Sequence, residues 1–120
     1  MRIALNGATT MRAVLETDFA AAKAAGFDYV EIWAAKLRKF VQHQTADDLT
    51  HLITKTGVPP LSINSIEHVT FRDAPAYESI KAECEELSRI AATSCPIPAR
   101  WPSVMVPLAA WVASSFTRVT

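Results

Sequence analysis

Twice in its first sixty residues the chain passes from an apolar helical pattern, through one glycine, into a short run of strand-forming residues. The junctions are Ala25-Gly26-Phe27 and Thr56-Gly57-Val58. Glycine just past a last helical turn closes a helix in the left-handed region. Strands alternating with helices of this length argue for a parallel sheet with helical crossovers. The repeat therefore points to an α/β architecture before any residue is assigned a task. A single β-α unit cannot bury both faces of its strand, so further units are expected.

Three strands are expected, over residues 2–6, 28–33 and 60–66. The first is a short apolar run ending at Gly7. The second, Phe27-Asp28-Tyr29-Val30-Glu31-Ile32-Trp33, is rich in residues that suit a pleated surface. The third, Leu61-Ser62-Ile63-Asn64-Ser65-Ile66, alternates at period two after Pro59-Pro60, which cannot continue a helix. A helical pattern over about 14–25 carries Leu15, Phe19 and Ala22 as its apolar face, with Glu16 and Asp18 near the start, where the helix dipole favours acids. Residues 34–41 read as a short helix or turn carrying Lys36, Arg38 and Lys39. Thr45-Ala46-Asp47-Asp48 resembles a capping box with Asp in place of Glu, and Leu49, Leu52 and Ile53 give the next helix its stripe. Asp73 caps a longer helix with Pro75 in its first turn. Tyr77, Ile80, Cys84, Leu87 and Ala91 recur there at helical spacing.

A fourth strand is due after Ser94. The sequence instead reads Cys95-Pro96-Ile97-Pro98-Ala99-Arg100-Trp101-Pro102. Each proline removes a ladder donor, so residues 96–102 are not expected to form a central strand. All 12 acidic residues lie at or before Glu86, and four of the 7 prolines lie beyond Cys95. The reading is a domain over 1–95 and a divergent or out-of-frame tail over 96–120. Residues 103–116 are expected to cover the open sheet edge, with a membrane anchor as the sharper alternative.

A length of 120 residues allows one small domain, and 12 basic against 12 acidic residues leave no net field for nucleic acid or anionic lipid. Cys84 and Cys95 form no Cys-x-x-Cys pair and are expected to be reduced thiols. The N-terminal apolar stretch is too short for a signal peptide, so a cytoplasmic location is expected. No phosphate-binding glycine loop, nucleophile elbow or basic-aromatic patch is present.

Chemistry is sought at the carboxyl ends of the strands, where parallel α/β folds bind ligands. Ile3 and Leu5 oppose Ala4 and Asn6; Val30 and Ile32 oppose Tyr29, Glu31 and Trp33; Leu61 and Ile63 oppose Ser62 and Asn64. One side of each strand is aliphatic, and the other carries Asn6, Glu31 or Asn64 near its end. A barrel with a polar mouth explains this. So do side chains bonded to neighbouring backbone or to Arg and Lys. Glu67-His68 directly follows strand three and supplies a carboxylate and an imidazole. His43 and His51 are expected in solvent, and Glu83, Glu85 and Glu86 on a solvated helix face.

Residues 1–10, 24–33, 61–67 and 71–73 together resemble the sugar phosphate isomerase/epimerase family. These are xylose isomerase-like TIM barrels, related to inosose dehydratases, ketose epimerases and a class of abasic-site endonucleases. The resemblance covers about residues 1 to 95. It implies the first three β-α units of a barrel of eight, and a sugar or sugar phosphate substrate isomerised or epimerised through an enediolate. It also implies a divalent metal (Mn, Mg, Co or Zn), held by carboxylates and a histidine on later strands. This chain alone is expected neither to bind that metal nor to be active, and no catalytic residue is assigned. The substrate-pocket candidates are Asn6, Glu31, Trp33, Asn64, Glu67 and His68. The competing expectation is a non-catalytic stub that self-associates through its open sheet edge.

Overall fold

A computed structural model describes residues 1–94. The expectations for 96–102, for 103–116 and for the pairing of Cys95 lie outside the described residues. The element order is β1 (Ala4–Asn6), α1 (Leu15–Ala25), β2 (Tyr29–Trp33), α2 (Ala34–Val41), α3 (Ala46–Thr56), β3 (Pro60–Asn64) and α4 (Ala74–Ser94). The strands form one sheet in the order β1-β2-β3. Both pairings are parallel, as the repeated junction requires.

The two glycine junctions close their helices differently. Gly26 has φ 73°, and the amides of Gly26 and Phe27 return to the carbonyls of Lys23 and Ala22, a Schellman motif. Gly57 has φ 71° and makes the simpler return of its own amide to the Ile53 carbonyl. Each turn delivers the chain directly into the next strand. Asp28, on the way into β2, binds β1 as well: its amide donates to the Ile3 carbonyl and its Oδ2 accepts from the Ile3 amide at 2.8 Å.

The core lies on one side of the sheet. Val30 and Ile32 are fully buried in a cluster with Leu15, Phe19 and Ala22 of α1, Leu37 and Phe40 of α2, Leu49 of α3, and Leu87 and Ile90 of α4. Tyr29, Glu31 and Trp33, on the opposite side of β2, are only half-buried. The central strand thus divides into a packed side and an open side, as its alternation implies.

Some expectations are corrected. Ile3 does not share a packed side with Leu5; it precedes β1 and is exposed. Leu61 does not pair with Ile63's side either. The register slips between Val30↔Pro60 and Glu31↔Ser62, leaving Leu61 as an extra residue. Pro60 is therefore the residue that is buried beside the core. On α4 the buried positions are Leu87, Ile90 and Ser94, whereas Tyr77 is exposed, because only the second half of that long helix meets the core. Asp18 lies in the first turn of α1, as expected, and is buried there. The segment 34–41 is a helix, His43 and His51 are exposed, and Glu83 is half-buried in an ion pair with Arg38 of α2. Cys84 is a half-buried free thiol whose pKa burial pushes up.

Candidate functional site

The open side of the sheet gathers its polar residues at the carboxyl ends of the strands. Asn6 of β1 is the direct partner of Glu31 of β2, and Glu31 is the direct partner of Ser62 of β3. Two residues farther along β2, on the same side, Trp33 partners Asn64. Four of the six pocket candidates, Asn6, Glu31, Trp33 and Asn64, therefore occupy two successive rungs across three strands. All four are half-buried.

Glu31 is not an orphan charge. The Ser62 hydroxyl donates to its Oε1 at 3.0 Å. Alternation puts Ser62 on the same side as Asn64, but it does not show that Ser62 stands opposite Glu31, which the register sets. Asn6 is fixed by its own loop: its Oδ1 accepts from the Ala8 amide at 2.8 Å, and its carbonyl accepts from the Thr9 amide at 3.0 Å and the Thr9 hydroxyl at 2.7 Å. An amide N–H can only donate, so the carboxamide oxygen is the atom turned to the loop and the Nδ2 group is turned away from it.

Glu67 and His68 stand apart from these rungs. Both are exposed in the segment after β3, with side-chain relative exposures of 62% and 75%. They face each other at 4.0 Å, and Ser65 donates to Glu67 Oε1 at 3.4 Å.

Behind the mouth lies a network that composition and motif reading did not single out. Asp18 of α1 and Lys36 of α2 form an ion pair at 2.6 Å, with only 1% and 4% of their side chains exposed. Thr10, in the loop after β1, donates to Asp18 Oδ1 at 2.6 Å and accepts from Lys36 Nζ at 2.9 Å. Gly7 closes the arrangement. Its amide donates to the Glu31 carbonyl at 2.9 Å. A Cβ there would sit 3.0 Å from that carbonyl oxygen, 3.1 Å from Asp18 Oδ2 and 3.1 Å from the Trp33 nitrogen. A signal was present in the sequence. Asp18 falls on the stripe Leu15-Asp18-Phe19-Ala22, and an acid that is fully buried is almost always paired, though the stripe does not name its partner.

The donor set at the rungs is one carboxylate, two carboxamides and a hydroxyl. Among the described residues no three His, Cys, Asp or Glu side chains converge. Closed divalent sites draw on more anionic or imidazole ligands than one. These residues do not make such a site. They do suit a hydroxyl-rich ligand, with an indole face beside them.

The comparisons with known proteins agree with the fold. An inosose isomerase of Halalkalibacterium halodurans is 31% identical over 85 residues, covering 69% of this chain and 30% of that protein. A crystal structure of the IolI protein with a bound zinc atom superposes with a TM-score of 0.70 at 26% identity, covering 78% of this chain and 34% of that one. No protein-family model matches the chain. The chain thus spans about a third of the length of the relatives it matches. Its three parallel β-α units are the N-terminal part of a xylose isomerase-like TIM barrel. The similarity to the inosose isomerase and to IolI supports a place within the sugar phosphate isomerase/epimerase-like family.

Proposed function

We propose that residues 1–94 supply one wall of the mouth of a sugar isomerase or epimerase. Asn6, Glu31, Trp33 and Asn64 would contact a polyhydroxylated substrate of the inosose or sugar phosphate kind. The observation that carries this reading is the single rung Asn6–Glu31–Ser62 at the carboxyl ends of three parallel strands. Trp33 stands one rung farther out, where its ring can cover an apolar sugar face. Glu67 and His68 are the outer rim of the same site. The reaction is aldose-ketose isomerisation or epimerisation through an enediolate, and the divalent metal it uses in this family is held by residues other than those described.

The 120-residue chain by itself does not turn over sugars in this reading. Enediolate chemistry needs a base held against the substrate carbon and an electrophile on the neighbouring oxygen. One carboxylate on a three-stranded wall supplies at most the first, and misplacement by about 1 Å can lower a rate on the order of a hundredfold. The setting is cytoplasmic and the ligand a small molecule, with neither nucleic acid nor membrane as partner. Among the described residues no helix is long and apolar enough to cross a membrane.

The test has two arms. Titration of the chain with an inosose, followed by amide chemical shifts, should move Glu31, Trp33, Ser62 and Asn64, and Glu31→Gln should weaken that response. Shifts confined to other residues would refute the mouth assignment. An assay against ketoses and ketose phosphates with added Mn²⁺, Mg²⁺ or Co²⁺ should show no turnover; metal-dependent turnover abolished by Glu31→Gln would show instead that the chain is a minimal enzyme.

A further inference from the structure

We propose that Thr10, Asp18 and Lys36 are positioning residues for the mouth. Their network holds the loop after β1 so that Asn6 presents its Nδ2 group as a fixed donor beside the Glu31 carboxylate. The pair then reads a vicinal diol, one hydroxyl accepting from Asn6 and its neighbour donating to Glu31. This deepens the reading of the mouth given above and rests on it.

A buried Asp–Lys pair is a poor device for stability, because desolvation offsets most of its Coulombic gain and an apolar pair of similar volume serves as well. What the pair adds is direction. Asp18 offers one oxygen to Lys36 at 2.6 Å and the other to Thr10 at 2.6 Å, and Lys36 returns a bond to the same Thr10 hydroxyl at 2.9 Å. The Thr10 hydroxyl proton faces the Asp18 carboxylate at 2.6 Å and, farther off, the Gly7 carbonyl at 3.1 Å, while its lone pairs face the ammonium. The three groups therefore fix a loop residue against two helices at once.

That loop residue lies four positions beyond Asn6. The intervening backbone is tied at both ends: at Asn6 by the amides of Gly7 to the Glu31 carbonyl and of Ala8 to Asn6 Oδ1, and at Thr10 by its hydroxyl, 3.1 Å from the Gly7 carbonyl. The Ala8 amide decides which end of the Asn6 carboxamide faces away from the loop. If the loop were free to swing, either end could be presented, and a donor would become an acceptor beside an anion. The network thus acts on the ligand's hydroxyl pattern through Asn6.

The full chain is compared as wild type, Thr10→Val, Thr10→Ser and Leu52→Ala by amide hydrogen exchange and by the Asn6 side-chain NH₂ resonances. Valine keeps the volume and removes the hydroxyl; serine restores it; Leu52 packs against the core away from the loop. Thr10→Val should speed exchange at Ala8 about tenfold relative to Ile32, the scale of one lost hydrogen bond, and shift the Asn6 resonances. Thr10→Ser should return both to wild type. Leu52→Ala should speed Ala8 and Ile32 together and leave the Asn6 resonances in place. The proposal is overturned if Ala8 is unchanged in Thr10→Val, if Ala8 and Ile32 rise together in it, or if that variant does not fold, since each shows a network that only stabilises. Because exchange is read without ligand, a failed inosose titration with these exchange results would discard the mouth reading while the loop mechanism stands.

Discussion

At the scale of single residues, two positions carry sharp consequences. Lys36 has no solvent to fall back on: its side chain is 4% exposed and its partner Asp18 1%. Lys36→Met should destabilise the fold by about 3–5 kcal/mol, because it leaves a buried carboxylate uncompensated. Asp18→Leu combined with Lys36→Met should recover most of that loss. Urea denaturation of the two variants checks both statements, and equal losses would show that the pair itself stabilises. Gly7 is the second position. A Cβ there would meet two backbone atoms at 3.0 and 3.1 Å, which cannot rotate away as a side-chain tip can. Gly7→Ala should therefore destabilise by about 1–3 kcal/mol through overpacking. The same measurement checks it, with an unchanged midpoint as the contrary result.

At the scale of elements, the start of α3 shows how far local chemistry can be read. Thr45 Oγ1 accepts from the Asp48 amide at 3.2 Å, and Asp48 Oδ2 accepts from the Thr45 amide at 2.8 Å. The bond from the Thr45 backbone, then that from its hydroxyl, holds the Asp48 carboxyl below its ordinary 3.8. A depressed carboxyl stabilises the fold above its unfolded value and loses that contribution as pH falls through the folded value. The cap's contribution should thus be full at neutral pH and fade below about 3.8. Thr45→Ala should cost about 1 kcal/mol at pH 7, and thermal melts from pH 7 to 3 should show the gap to wild type narrowing with acid. Such caps are legible because every participant lies within four residues. The three strands were legible for the same reason: alternation and a glycine stop are local signals. The slip at Leu61 was not, because it is set by how β3 meets β2. Nor was the Asp18–Lys36 pair, whose members lie on different helices and meet only once both pack on β2. Of the site, strand parity places Asn6, Glu31, Trp33, Asn64 and Ser62 on the open side, whereas the pairing of Ser62 with Glu31 needed the register.

At the scale of the whole molecule, β1 and β3 each have an unpaired edge among the described residues, since β2 takes one side of both. Exposed strand edges recruit further strands. We propose that the chain self-associates through the β3 edge. Sedimentation velocity over about two decades of concentration should show a rising weight-average mass, with monomer throughout as the contrary result. The order β1-β2-β3 has another consequence, which concerns time. Each strand's partner is the strand before it in the chain, and bridging contacts such as Asp28 with Ile3 or Ser62 with Glu31 span 25 and 31 residues. The entropy of closing such loops rises only slowly with length, and partnerships of similar span make successive steps alike. Among the described strands, none has to wait for a distant segment to be synthesised. A nascent chain can therefore lay down this sheet strand by strand as it leaves the ribosome, each helix that emerges burying the apolar side of the strand behind it.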